Sequence, residues 1–102
     1  MSVSSEVRES GSGGRAEQRR LLRAAGAGDV EAFARFYDLT SARVHALSLL
    51  VTRDPGAATE LTRAAYLEAW RCASSYDPEQ VGPLAWVLSI AHAVGRAAPA
   101  AA

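Results

Sequence analysis

The feature that most constrains the fold is a pair of helical apolar stripes in residues 57–92, separated by one short turn. Tyr66 and Trp70 are four residues apart, so they share one face of the first helix. The segment 74–82 is rich in turn-forming residues, and it ends just before a proline. Apolar residues recur at helical spacing in the following segment, 84–91. The pattern therefore predicts two helices joined by a turn.

A long amphipathic helix is predicted upstream, over residues 29–53. Asp29 is suited to cap its first amide groups, and Pro55 ends it because proline cannot continue the helical hydrogen-bond ladder. Pro55 also suits the first turn of the next helix, which is predicted over residues 55–74. One continuous buried face of the long helix is expected from its i, i+3, i+4, i+7 spacing, comprising Phe33, Phe36, Tyr37, Thr40, Val44, Leu47 and Val51.

A shorter helix is predicted over residues 15–25, with Gly26 and Gly28 closing it. Its polar side carries three arginines, Arg19, Arg20 and Arg23. They either contact phosphate groups or form a solvated face, and the solvated face is the more common role of such a cluster.

The chain of 102 residues is predicted to form one domain. Residues 1–14 are Ser, Gly and charged residues with almost nothing to bury, so a disordered tail is expected there. Residues 15–98 are assigned to the helical domain and residues 99–102 to a tail. The predicted fold class is all-α, a compact bundle of three to four helices.

The charge distribution argues against a domain that binds duplex DNA by itself. Residues 1–23 carry five Arg and three Glu, a net charge of +2, whereas residues 24–102 carry six Arg and eight acidic residues, a net charge of −2. Independent DNA-binding domains normally show a basic face, because phosphate contacts supply most of the affinity.

No catalytic site, metal site or cofactor site is predicted, and the chain is not expected to be an enzyme. His45 and His92 lie on different predicted helices with no partner at metal-ligand spacing. Cys72 is either a low-pKa thiol beside Arg71 or a small core side chain, and the core position is favoured. A single cysteine, no secretory signal and no apolar run of membrane-spanning length predict a cytoplasmic protein without a membrane partner.

The aromatic residues divide between core and surface roles. Tyr66 and Trp70 are expected in the core. Tyr76 lies in the turn, a place that favours contact with a partner. Trp86 either covers the edge of the core or forms a stacking platform for an unpaired base.

Five spaced motifs together are more specific than any one of them. They are GDVEAFARFYD at 28–38, RDP at 53–55, YLEAWR at 66–71, YDP at 76–78 and LAWVLSIAH at 84–92. In this order and spacing they resemble region 2 of bacterial RNA polymerase sigma factors of the extracytoplasmic-function group. The likeness runs from about Leu21 to His92.

The resemblance implies a role in transcription initiation and transcription regulation. The third helix would dock on the clamp helices of the RNA polymerase core through Glu60, Arg63, Ala64, Leu67, Glu68 and Arg71. The turn and fourth helix would contact the non-template strand of the promoter minus-ten element, taking a base out of the stack, through Tyr76, Asp77, Gln80, Trp86, Ser89, His92 and Arg96. Within such a holoenzyme the polymerase would supply most of the positive charge for DNA, and an anti-sigma factor is a further implied partner.

Departures from the family pattern support a second hypothesis. Arg63 and Ala64 stand where the family usually has Gln and an acid, and Gln80 and Val81 stand where an Arg-Gly pair is usual. The basic run that normally follows His92 and the second, helix-turn-helix domain have no counterpart in the 102 residues. The alternative is a degenerate interaction module that binds an anti-sigma factor or the polymerase without reading DNA, or a piece of a longer sigma factor.

Overall fold

The computed structural model of this chain describes residues 14–97, and every regular element among them is helical. The predicted all-α bundle is confirmed. Its elements are α1 (Arg15–Gly26), α2 (Val30–Thr52), α3 (Pro55–Cys72), one 3-10 turn (Ala73–Ser75) and α4 (Pro83–Ala97). The predicted tails lie outside the described residues, apart from Gly14. No helix in the described part is long and apolar enough to cross a membrane.

Two aspartates begin the two longest helices, and the cap at Asp29 was predicted from the sequence. Asp29 Oδ1 accepts a hydrogen bond from the Ala32 amide at 3.0 Å, and Asp54 Oδ2 accepts one from the Ala57 amide at 2.7 Å. Each bond satisfies an amide that has no partner within the helix. Between the two helices, Arg53 takes a left-handed conformation (φ 56°), so the chain reverses one residue before Asp54.

The buried face of α2 differs from the predicted one. Its fully packed positions recur every four residues: Ala32, Phe36, Thr40, Val44 and Ser48. Tyr37 and Val51, which were expected in the same face, are 41% and 51% exposed. A spacing of four drifts around a helix by about 40° per turn, because a straight helix repeats every 3.6 residues. The packed stripe therefore winds across α2, as it does when neighbouring helices cross at an angle, and it leaves those two residues outside.

The centre of the bundle is formed by all four helices. Leu22 from α1, Phe36 and Val44 from α2, and Val87 from α4 are fully buried. α3 contributes mainly small side chains to this core, so its neighbours approach closely: Ala58, Ala65 and Ala69. The charged side chains of α3 lie on the opposite, outer face.

Tyr66 links α3 to α2 through a buried hydrogen bond. The Thr40 hydroxyl donates to the Phe36 carbonyl at 2.8 Å, so the Tyr66 hydroxyl donates to Thr40 Oγ1, at 2.5 Å. Burial raises the pKa of Tyr66 to about 12, although the bond to Thr40 acts in the opposite direction. The neutral phenol is therefore part of the folded state.

Replacing Tyr66 with phenylalanine is expected to lower the free energy of unfolding at neutral pH by about 1 kcal/mol, the usual net value of one hydrogen bond. The pKa of Tyr66 is raised from its ordinary value near 10 to about 12. The part of the free energy of unfolding that the neutral Tyr66 phenol contributes is thus fully present below pH ~10 and is lost as pH rises toward ~12. Urea unfolding at neutral pH and near pH 11 should show the difference between wild type and Tyr66→Phe shrinking at high pH. Tyr37→Phe, at an exposed ring, is the control at neutral pH and should leave the free energy of unfolding nearly unchanged.

Candidate functional site

The six predicted polymerase-contacting residues form one stripe along the outer side of α3. We call Glu60, Arg63, Ala64, Leu67, Glu68 and Arg71 the docking stripe. Their spacing of three and four places them on adjoining turns of one face. Leu67, near the middle, is 62% exposed, and it is flanked by charged side chains on both sides. The structure therefore brings these six residues together.

The charges of the docking stripe are paired within it. Arg63 lies 3.9 Å from Glu60, and Arg71 lies 3.4 Å from Glu68. Both pairs are exposed i, i+3 pairs, which contribute little to stability. The side chains therefore remain available to exchange these partners for groups on another protein.

Cys72 lies at the end of the docking stripe and is only partly buried. Its Sγ donates to Glu68 Oε2 at 3.2 Å, and this hydrogen bond is the main cause that raises the pKa of the Cys72 thiol. A carboxylate acceptor stabilises the protonated thiol. The low-pKa alternative suggested by Arg71 is therefore wrong, and the favoured full burial is also not observed.

An aromatic groove borders the docking stripe, between α2 and α3. It has a volume of about 670 Å³, and its walls include Phe33, Tyr37, Tyr66, Leu67 and Trp70. Trp70 was expected in the core but is 37% exposed, because it packs edge-on against Phe33 at the rim, with ring centroids 5.2 Å apart. No sequence pattern indicated this groove.

The turn of residues 76–82 is built around Tyr76. This ring was predicted to face a partner, but it is only 8% exposed, and its hydroxyl donates to the Val81 carbonyl at 2.9 Å. Its ring meets Trp86 edge-to-face, with centroids 5.3 Å apart. Tyr76 therefore holds the turn against α4 from inside rather than presenting a surface.

The polar residues of the turn face solvent. Asp77 Oδ1 accepts from the Glu79 amide at 2.9 Å, and the Asp77 carbonyl accepts from the Gln80 amide at 3.0 Å. Asp77, Glu79 and Gln80 are exposed. Two of the three carry negative charge, so the turn is acidic on its outer side.

The predicted DNA-contacting residues of α4 lie along one stripe. We call Trp86, Ser89, His92 and Arg96 the outer stripe of α4; the last three are exposed. Trp86 is half-buried and packs against the core, so it does cover a core edge, while part of its ring remains accessible. The Ser89 hydroxyl donates to the Trp86 carbonyl at 2.7 Å. The turn packs against the start of this stripe through the contact between Tyr76 and Trp86.

α1 lies directly beside the turn, a juxtaposition that the sequence did not reveal. At one end, Gly26 is so close to the 3-10 turn that a Cβ on Gly26 would lie 2.8 Å from the Ala73 carbonyl oxygen. At the other end, a Cβ on Gly82 would lie 3.7 Å from Nε of Arg15. α1 therefore flanks residues 73–82 along their whole length.

Residues 14–97 contain no group of three or more His, Cys, Asp or Glu side chains placed to hold a metal ion. His45 instead lies against α3, where its Nδ1 is 3.4 Å from Thr62 Oγ1. His92 is exposed on the outer stripe of α4.

The described residues form four packed helices, and exposed residues lie along α3 and α4. Comparison with known families makes the class specific: the family model described as sigma-70 region 2 matches residues 30–96. This match covers α2, α3, the turn and nearly all of α4. The chain belongs to the sigma-70 region 2 family.

Several curated relatives are similar over the same part of the chain. A protein named "ECF RNA polymerase sigma factor SigK" from Mycobacterium sp. (strain KMS) is 49% identical over 72 residues, which cover 71% of this chain and 37% of that protein. The protein of that name from Mycolicibacterium vanbaalenii is 49% identical over 77 residues, covering 76% and 39%. Its namesake from Mycobacterium tuberculosis (strain ATCC 25177 / H37Ra) is 47% identical over 72 residues, covering 71% and 38%. The matched segment thus spans less than two-fifths of these relatives, and no solved structure matches the chain.

Proposed function

We propose that this chain acts as a sigma-type module in transcription initiation. The docking stripe on α3 binds the RNA polymerase core. The turn and the outer stripe of α4 then contact the non-template strand of the promoter minus-ten element within the holoenzyme. The observation that carries the proposal is the sigma-70 region 2 match over residues 30–96, which includes both stripes.

The docking stripe has the composition of a protein interface. An exposed leucine, Leu67, lies at its centre and charged residues form its rim. Interfaces commonly have this arrangement, with an apolar centre that excludes water and polar residues around it. The aromatic groove continues the apolar centre toward Trp70.

The second surface suits an unpaired base better than a duplex. Trp86 offers part of an aromatic ring, and the exposed amide of Gln80 and imidazole of His92 offer hydrogen-bonding groups nearby on the same surface. Stacking and edge hydrogen bonds are how single-stranded bases are bound, whereas duplex binding depends on a broad basic face. The sequence lacks such a face over residues 24–102.

The test of the proposal is reconstitution with core RNA polymerase of the native host. The purified chain should elute with the polymerase in gel filtration. The mixture should also retain more of a single-stranded minus-ten oligonucleotide than the polymerase alone does. Absence of a complex at micromolar concentrations would remove the proposal.

Leu67→Asp is expected to weaken binding to core polymerase by about tenfold or more, which corresponds to about 1.4 kcal/mol for a central interface residue. Leu67 is exposed, so the fold should be retained. Leu50→Asp is the matched control, because Leu50 is 74% exposed on α2 and lies outside the docking stripe. Fluorescence titration of labelled chain into core polymerase measures both. Equal losses in the two variants would contradict docking through α3.

A second candidate function is an interaction module that binds an anti-sigma factor or the polymerase without reading DNA. Two observations favour it: the turn is acidic on its outer side, and Tyr76 is withdrawn into the turn. Promoter-directed transcription by the chain with core polymerase would exclude this candidate. Polymerase binding that leaves promoter selection unchanged would favour it.

Under either function, Arg63→Gln with Ala64→Asp should strengthen polymerase binding, since these restore the amide and acid usual in the family.

A further inference from the structure

The proposed DNA surface lacks positive charge where a strand would need it. The turn carries Asp77 and Glu79, and the outer stripe of α4 contains one arginine, Arg96. Phosphate groups passing this surface would meet more negative charge than positive. Binding of a nucleic-acid strand normally requires cations along its backbone. Further arginines lie beside the turn, on α1.

Two arginines of α1, Arg15 and Arg23, lie at the two ends of the turn. Arg15 approaches Gly82 at one end of the turn, as its Nε lies 3.7 Å from the position of a Cβ built on Gly82. Arg23 shares a shallow groove of about 290 Å³ with Ser74 and Tyr76 at the other end. α1 therefore runs antiparallel to residues 73–82, with an arginine at each end of the turn.

Arg19 completes the row. Positions 15, 19 and 23 follow one another at four-residue intervals, so they lie on one side of α1 with a rise of about 6 Å between neighbours. We call Arg15, Arg19 and Arg23 the arginine stripe. Arg19 Nε is buried and has no hydrogen-bond partner in the described structure.

The acidic residue of α1 does not neutralise this row. Glu17 is on another side of the helix and pairs with Arg20, at 2.6 Å. Among the described residues, no ion pair or side-chain hydrogen bond involves a member of the arginine stripe. Three guanidinium groups thus remain for an outside ligand, and guanidinium groups match phosphate oxygens in geometry and charge.

We propose that the arginine stripe on α1 binds the phosphodiester backbone of the single DNA strand whose bases meet the turn. This inference rests on the proposed function, because it adds the backbone contacts to the same DNA surface. The bases would face the turn and Trp86, while the phosphates would follow α1. Positive charge for the strand then comes partly from this chain and not only from the polymerase.

The test compares two variants that lose the same charge in different places. Arg15→Gln/Arg23→Gln removes both ends of the arginine stripe, and both side chains are exposed, so the fold should be kept. Arg43→Gln/Arg53→Gln removes two exposed arginines of α2 and its C-cap, away from the turn. The 102-residue chain is titrated into fluorescein-labelled oligothymidylate, and anisotropy is recorded from about 50 to 200 mM salt.

The stripe variant should bind roughly tenfold more weakly than wild type at low salt, and its slope of log K against log salt should fall by about 1.4, or about 0.7 for each lost single-strand phosphate contact. The control variant should keep wild-type affinity and slope. Equal losses in both variants would mean that only the net charge matters, and they would overturn the proposal. The proposal is also overturned if the wild-type chain does not bind oligothymidylate, either alone or in complex with core polymerase.

The same variants are then tested for binding to core polymerase. If the stripe variant loses polymerase but keeps oligothymidylate, α1 binds an acidic protein surface instead, and the proposal is overturned. Failure of the proposed function has a separate signature: the wild-type chain forms no complex with the polymerase. The titration with the chain alone remains readable in that case, so the two failures are distinguishable.

Discussion

Phe36→Ala is expected to lower the free energy of unfolding by about 3–5 kcal/mol, the usual cost of removing a fully buried aromatic ring. Phe36 heads the fully buried side chains of the domain by volume, and it packs against Phe33 with ring centroids 6.3 Å apart. It also supplies the carbonyl that holds the Thr40 hydroxyl. Small domains have only about 5–15 kcal/mol of stability in total. This single change should therefore leave much of the chain unfolded at moderate temperature, as measured by circular dichroism during urea titration.

Trp70→Ala is the comparison that makes this prediction specific. A buried tryptophan would cost as much as Phe36, and the sequence alone assigned Trp70 to the core. In the structure its ring is 37% exposed at the rim of the aromatic groove, so we expect a smaller loss of about 1–2 kcal/mol. If Trp70→Ala destabilised the chain as strongly as Phe36→Ala, the ring would have to be buried, and the groove would not exist as described.

The helices were predictable because their signals are local. Asp29 and Asp54 precede helical stretches with free amides to cap, and both caps form. Pro55 is placed at the first position of α3, where its missing amide costs nothing. Each of these features depends on residues within one turn of the chain, so no knowledge of the tertiary structure is needed.

The burial of individual side chains was less predictable, because it depends on which helices pack together and at what angle they cross. Period and spacing indicate that α2 has an apolar face, but the crossing angle decides where that face ends. Tyr37 and Val51 are apolar at the correct period and are nevertheless exposed. Thr40 and Ser48 are buried instead, with their hydroxyls bonded to carbonyls one turn back, at Phe36 and Val44. A hydroxyl satisfied in this way is tolerated inside, and hydrophobicity alone does not reveal it.

The candidate site was predictable only where a motif described it. The family resemblance named the residues of the docking stripe and of the outer stripe of α4, and their roles stay predictions. Contacts between distant segments were not predictable from helical spacing or from the resemblance. Tyr76 is a turn residue by sequence, yet its burial depends on Trp86 and Val81. The position of α1 beside the turn depends in the same way on Gly26, which local reasoning treated only as a helix end.

Gly26 and Gly28 close α1 for two different physical reasons. Gly28 has a φ of 102°, a backbone conformation that other residues adopt only with strain. Its amide bonds to the Ala25 carbonyl at 2.9 Å, and so it ends the helix. Gly26 is the last residue of α1, and it lies so close to the backbone of the 3-10 turn that a side chain would not fit. The absence of a side chain at this position is therefore a packing requirement.

Gly26→Ala is expected to lower the free energy of unfolding by about 1–3 kcal/mol, the usual cost of overpacking. The added Cβ would lie 2.8 Å from the Ala73 carbonyl oxygen and 3.1 Å from Ser74 Cα. Both are backbone atoms, so neither can rotate away as a side chain would, and α1 must separate from the segment that leads into the turn. Thermal and urea unfolding measure the loss.

Whether Gly26→Ala lowers or raises the free energy of unfolding distinguishes overpacking from helix propensity. Alanine favours helices over glycine by about 1 kcal/mol, so an unconstrained position would gain stability from the same change. Gly56→Ala is the matched control: it lies in the first turn of α3, where the added Cβ meets only the Asp54 carboxylate, at 3.4 Å. We expect Gly56→Ala to be neutral or stabilising while Gly26→Ala destabilises. A gain in both variants would mean that α1 is not held against the 3-10 turn. The arginine stripe would then have no fixed position beside the turn, so this measurement of stability also tests the geometry on which the proposed backbone contacts depend.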